Sequence, residues 1–269
     1  MAALADRPKP SGPAAIDVRL MNGVALAVGV AVALALLAAA GLWLLRTPWW
    51  AIRAIEVHGD LRRTSAATLR ANTLPRLEGT FLSLDLARAQ AVFESVPWVR
   101  TAVVRRVWPD RLSVTLEEHR PAARWLAADG NERIVNTYGE VFEGNLGEVE
   151  GESLPVLAGP DGTAQRVLQM HGRLDALFSP LGRRVAQLEL SGRGSWTVVL
   201  DDDAQVQLGR GDDDEVLARS ARFVATVSQV TGSFRAPFVR ADLRHAVGYA
   251  VRLRGVTMDD APGRPAGRN

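Results

Sequence analysis

The sequence predicts an α+β protein carried behind a single membrane-spanning helix, and three observations predict it. A stretch near the N-terminus lacks any charged side chain, residues 51–121 read as strand, helix, helix, strand, strand, and residues 122–254 alternate short strands with two helices. At 269 residues the chain has room for two ordinary domains. It contains no cysteine, which excludes disulfides, thiolate metal sites and a thiol nucleophile.

From Gly23 to Leu45 no side chain is charged or strongly polar. As a helix this segment would be about 34 Å long, close to the hydrocarbon thickness of a bilayer. Backbone amides in hydrocarbon must bond within their own segment, so a helix is required there, with Arg46, Pro48, Trp49 and Trp50 at its far interface. A buried soluble helix of this length would carry a polar stripe, which is missing. Ala38, Ala39 and Ala40 imitate a signal-peptidase site, yet Leu42, Trp43, Leu44 and Leu45 carry the apolar run past a normal signal peptide, so the segment reads as an uncleaved anchor. Residues 1–22 form a short tail ahead of it. Arg7, Lys9 and Arg19 on that side are matched by Arg46, Arg53, Arg62 and Arg63 on the other, so charge alone leaves the orientation open.

In the first module, Ile52 to Val57 reads as a strand closed by Gly59, and Thr64 or Ser65 caps a helix that reaches Asn72. Asp85 opens a second helix with Leu86, Ala89, Phe93 and Val96 on one face, and Pro97 stops it. Val99 to Val107 then turns at Trp108, Pro109 and Asp110 into a strand where Leu112, Val114 and Leu116 alternate with polar residues, the period of a half-buried strand. In the second module, Ile134, Val135, Val141 and Phe142 flank a turn at Tyr138 and Gly139. Residues 155–162 read as a linker before a helix carrying Val167, Leu168, His171, Leu174 and Phe178. Trp196, Val198 and Leu200 pair with Val206 and Leu208 as a hairpin around Asp201, Asp202 and Asp203. A helix spans Asp212 to Val230, the strands Phe238 to Leu243 and Val247 to Leu253 close the domain, and residues 255–269 read as a flexible tail.

No catalytic pattern emerges. Asp212, Asp213, Asp214 and Glu215 sit in a first helical turn, where carboxylates cap free amides. Asp201 to Asp203 lack the alternate spacing and glycine of a calcium loop, and Gly209, Arg210, Gly211 lack the third glycine of a dinucleotide site. Arg210, Gly211 and Asp212 spell an adhesion tripeptide that a strand-to-helix junction explains. His58, His119, His171 and His245 belong to no metal-ligand spacing, and no G-x-S-x-G elbow occurs. Nucleic acid is not indicated either, because beyond residue 22 bases and acids balance to within one charge.

Four strings carry a resemblance: PWVRTAVVRRVWPDRLSVTLEEHRPAARW from Pro97 to Trp125, LPVLAGPDG from Leu154 to Gly162, SWTVVLDDDAQVQLGRGD from Ser195 to Asp212, and VRADLRHAVGYAV from Val239 to Val251. Together with the layout, they resemble the FtsQ/DivIB family of bacterial cell-division proteins from the anchor to Leu253. The resemblance implies a bitopic inner-membrane protein of the division septum with a cytoplasmic tail (1–22), one span (23–45), a periplasmic POTRA domain of βααββ order (46–121) and a β domain (122–254). It implies a non-enzymatic scaffold without cofactor, metal or small-molecule substrate. Such a scaffold joins the small bitopic proteins FtsB and FtsL, which act on the septal peptidoglycan synthase pair FtsW and FtsI.

The last run offers a physical route to that contact. Val247, Tyr249, Val251 and Leu253 alternate with Gly248, Ala250, Arg252 and Arg254, and a final strand at a sheet edge can accept an added strand, here expected from FtsB. The family's contact string transfers to Asp242, Arg244, His245 and Tyr249, with Val247 and Val251 on the strand itself. His245 stands where the family pattern has an aromatic, and the loop to Tyr249 is shorter. Val99 to Val107 is the expected contact surface of the POTRA segment. Two other classes stay open at this stage: a POTRA-containing secretion or outer-membrane assembly factor, which would need a barrel that fewer than 150 residues with two helices cannot supply, and a periplasmic enzyme.

Overall fold

A computed structural model describes residues 15–45, 50–59, 61–245 and 248–256. The tail before residue 15, Arg46, Pro48 and Trp49 of the interfacial cluster, Val247, and the stretch from 257 lie outside the described residues. Helix α1 (Ala15–Leu45) contains the apolar segment Leu20–Trp43, none of it buried within the protein. At 1.5 Å per residue these 24 residues measure about 36 Å, long enough and apolar enough to cross a membrane.

The chain, α1 included, divides into two compact units. The first comprises the described residues of Met1–Gly59, Leu69–Phe93 and Ala102–Leu116; the second comprises those of Asp60–Thr68, Glu94–Thr101 and Glu117–Asn269. Strand β1 (Ala54–His58), helices α2 (Ala66–Thr73) and α3 (Leu86–Glu94), and strands β2 (Val99–Val107) and β3 (Arg111–Glu118) follow in the βααββ order that the periodicity predicts. They build a three-stranded sheet in the order β1-β3-β2. β1 runs parallel to β3, from Ala54 opposite Arg111 to His58 opposite Thr115. Leu112, Val114 and Leu116 point inward, and Ala89, Val92 and Phe93 of α3 belong to the same unit's buried set. Asp85 caps α3 by accepting the amides of Ala87 and Arg88.

The second unit is built on a nine-stranded sheet ordered β12-β11-β10-β9-β8-β7-β4-β5-β6. Its strands are β4 (Pro121–Leu126), β5 (Glu132–Asn136), β6 (Val141–Phe142), β7 (Val156–Ala158), β8 (Val185–Leu190), β9 (Ser195–Leu200), β10 (Gln205–Arg210), β11 (Phe238–Asp242) and β12 (Ala250–Leu253). Helices α4 (Ala164–Phe178) and α5 (Asp213–Phe234) set Val167, Met170, Leu174, Phe178, Val216, Phe223 and Val227 into one core with Leu188, Trp196, Val198, Leu208, Ala241 and Leu253. Burying side chains of this size stabilises a fold by roughly 1.5–3 kcal/mol each.

One expected feature is corrected. The segment read as a linker, 155–162, contains β7, which pairs in parallel with β4 on one side and with β8 on the other. A strand enclosed by parallel neighbours needs no alternation, and three residues between Pro155 and Gly159 resemble a loop. Asp212 is the N-cap of α5, forming a capping box in which its carboxylate accepts the Glu215 amide (2.7 Å) and Glu215 accepts the Asp212 amide (3.2 Å).

The buried carboxylate of Glu118 gathers the amides of Arg62 (2.7 Å), Thr64 (2.7 Å) and Arg63 (3.2 Å). Burial favours its neutral form, but the hydrogen bonds from residues 62–64 outweigh it and hold the carboxyl below the ordinary glutamate range.

Candidate functional site

The last strand, β12, lies at one edge of the nine-stranded sheet, and its partner β11 joins it to β10. The phase of the ladder follows from two hydrogen bonds. Leu243 donates its amide to the Gln207 carbonyl on the β10 side (2.9 Å), so Asp242 and Arg240 present their backbone groups to β12. Arg254 donates its amide to Pro237 (2.9 Å), and Ala250 and Arg252 pair with Asp242 and Arg240. By alternation, Val251 and Leu253 turn their N–H and C=O outward, where no strand pairs with them among the described residues.

Side chains alternate in the same way. Tyr249 and Val251 pack against the core beneath α5, and Leu253 is part of it, whereas Ala250 and Arg252 are exposed. The Tyr249 ring meets Phe223 edge-on (centroids 5.0 Å apart), and its hydroxyl lies 2.7 Å from the Thr226 hydroxyl. Tyr249 therefore fastens the start of β12 to α5. Arg252 stands directly opposite Arg240, which is also exposed, so two like charges face each other across the ladder.

Asp242 and Arg244 form a fork. The guanidinium donates to both carboxylate oxygens (Nε–Oδ1 2.9 Å, Nη2–Oδ2 2.6 Å), and the Arg244 amide adds a third bond at 3.0 Å. The guanidinium hydrogen bond is the main reason the Asp242 carboxyl falls to about 2. Arg244 also borders a cavity of about 430 Å³ lined by Ser191, Arg193, Ser195, Gly209, Arg210 and Arg219. Arg219 donates to the Arg210 carbonyl (2.5 Å). Gly209 has φ +82°, and a Cβ there would come within 2.9 Å of Arg244 Cγ, so glycine permits the arginine to lie across β10.

Of the residues the sequence singles out, Asp242, Arg244, Tyr249 and Val251 are brought together here. His245 is exposed in the turn that follows, and Val247 lies outside the described residues. Arg193, Arg210 and Arg219 were not legible as part of this group. They come from the loop before β9, the end of β10 and α5, and their only linear sign is the glycine pair around Arg210.

Several other titratable groups have structural partners. His119 stacks on Phe142 (4.0 Å) and meets Asn136 (2.9 Å), with burial pushing its pKa down; His171 meets the Val185 carbonyl at 2.9 Å. Asp213 pairs with Arg166 and Asp214 with Arg173, tying α5 to α4. Among the described residues, no three His, Asp or Glu side chains are grouped to hold a metal.

Residues 50–119 match the model of the FtsQ-type POTRA domain, and residues 123–244 match that of the C-terminal region of cell division protein FtsQ/DivIB. The chain is 42% identical over 263 residues to cell division protein FtsQ of Thiomonas arsenitoxydans, covering 94% of this chain and 96% of that one. It is 39% identical to FtsQ of Burkholderia pseudomallei (89% and 94% covered) and 34% identical to that of Bordetella pertussis (88% and 92%).

Proposed function

This chain belongs to the FtsQ/DivIB family of cell-division proteins, and from that premise we propose that it is a non-enzymatic scaffold of the inner membrane, recruiting FtsB, and FtsL with it, by strand addition to β12. In this reading α1 holds the chain with its N-terminus in the cytoplasm and both units in the periplasm. The complex then links division to septal peptidoglycan synthesis through FtsW and FtsI. The observation that carries the reading is the outward pair of backbone groups at Val251 and Leu253 on an edge strand.

The surroundings of that edge specify the incoming strand. Its side chains facing the helices extend the apolar row of Tyr249, Val251 and Leu253, so alternate positions are apolar. Its other face meets Arg252 and Arg240, where an acidic residue relieves their mutual repulsion. The cavity bordered by Arg193, Arg210, Arg219 and Arg244 favours acidic side chains in any part of the partner that reaches it. Asp242 holds Arg244 in one orientation, and Tyr249 holds the strand; both act by positioning.

Hydrogen exchange on the full-length protein tests this. On addition of the periplasmic segment of FtsB, the amides of Val251 and Leu253 should gain protection, while Arg252, already paired within the sheet, changes little. Bound FtsB without new protection at Val251 and Leu253 overturns strand addition.

A further inference from the structure

We propose that the β2–β3 hairpin tip of the first unit, centred on Trp108, docks on the membrane surface beside the exit of α1. The inference rests on α1 crossing a membrane. Trp108 is 79% exposed, the largest exposure of any large apolar side chain among the described residues. Val107 (39%) and Leu82 (44%) are exposed with it. Leu82 belongs to this patch because Arg106, next to Val107, donates to the carbonyls of Phe81 and Leu84 and so ties the 81–84 loop to the end of β2.

The register shows which end of the sheet this is. Ala54 pairs with Arg111, and Arg53 donates its amide to the Asp110 carbonyl (2.9 Å), so the hairpin turn lies where the chain enters β1. That entry is anchored: the Trp50 carbonyl accepts the Phe81 amide at 2.7 Å. Only five residue steps separate Leu45, the end of α1, from Trp50, a reach of at most about 18 Å. The unit is therefore tethered by the very end that displays its exposed tryptophan, whereas His58 and Thr115 mark the opposite end.

The chemistry selects a lipid headgroup layer over a protein partner. An amphipathic indole beside arginines is the composition of a membrane interface, and Arg53, Arg105 and Arg111 are exposed around the tip. The nearby acids Asp110 and Glu56 are each paired with one of these arginines, Asp110 with Arg53 and Glu56 with Arg111.

The cysteine-free sequence makes the test direct. Full-length protein in phosphatidylethanolamine–phosphatidylglycerol vesicles carries one environment-sensitive fluorophore, at Val107→Cys or, for comparison, at His58→Cys, and is quenched by lipids bearing a nitroxide at headgroup depth. Quenching at position 107 should exceed that at 58 at least twofold. Adding Trp108→Glu, which leaves thermal unfolding unchanged because the side chain is exposed, should bring position 107 down to the level of 58. Equal quenching at both positions, or no effect of Trp108→Glu, in protein that resists alkaline extraction overturns docking while leaving the anchor intact. A response at 107 that follows protein density and not the quencher means that a second copy covers the tip, which also overturns it. Release by alkaline extraction overturns the anchor and the docking together.

Discussion

Proline at position 251 separates the internal pairing of β12 from the strand addition proposed for its outer edge. The Val251 amide points to the free edge, so Val251→Pro removes a donor that the fold does not use, a setting in which a sheet tolerates proline. The bonds to β11 belong to residues of the opposite phase, Ala250, Arg252 and Arg254, and remain. An added strand could form up to four hydrogen bonds with Val251 and Leu253, worth roughly 0.5–1.5 kcal/mol net each, or about 2–6 kcal/mol together. Proline deletes one of these, and its ring keeps the incoming backbone from the next. The expected loss is ~1–3 kcal/mol, a weakening of about 5- to 150-fold in Kd. Titration calorimetry of full-length protein with the FtsB periplasmic segment reads this directly. Val251→Ala, which shortens the side chain but keeps the amide, should retain most of the affinity. Arg252→Pro should do the opposite, breaking an internal ladder bond and lowering stability by ~1–3 kcal/mol. A Val251→Pro protein that melts like the wild type and binds FtsB within twofold of it would refute strand addition at this edge, whereas a Val251→Pro protein as destabilised as Arg252→Pro would refute the assigned phase.

Other outcomes follow from the same geometry. Gly209→Ala forces a side chain into a φ of +82° and against Arg244, so thermal unfolding should fall by about 2–8 °C for a cost of roughly 1–2 kcal/mol. Asp212→Ala breaks the capping box of α5 and should cost about 0.5–2 kcal/mol, measured by urea unfolding. Asp242, with a folded pKa near 2 set by Arg244, contributes stability that is complete above the ordinary aspartate range and is lost as pH falls through about 2. Its carboxyl carbon shift, followed by NMR, should stay constant from pH 7 to 4, and Arg244→Gln should restore an ordinary titration. Glu118→Gln removes the charge that gathers three amides, lowering stability above pH 5 by about 1–3 kcal/mol while the deficit narrows in acid.

How much of this could be read beforehand depended on whether local periodicity and tertiary role agreed. Leu112, Val114 and Leu116 alternate and are buried, and the α3 face closes on Phe93, so the βααββ order was legible. The acidic run from Asp212 was legible as a helix start because capping is local chemistry. β7 was missed because a short strand between parallel neighbours carries no period. β8 was missed because a register shift between Val185 and Gln187 breaks its spacing, leaving Val185, Leu188 and Leu190 buried at steps of three and two. At the candidate site, the linear string gave Asp242, Arg244 and Tyr249, but the arginines converge from separate elements and only the fold assembles them.

The opposition of Arg240 and Arg252 has a consequence for self-association. Two copies of this protein meeting edge to edge in antiparallel fashion would use Val251 and Leu253 of each, and that register puts Arg252 on the two-fold axis, against its own duplicate. Each duplicate already faces Arg240, so four guanidinium groups would crowd into one row without a counter-charge. The open margin of the sheet is thereby closed to homotypic zippering, a hazard of any bare strand, while staying available to a chain of opposite sign.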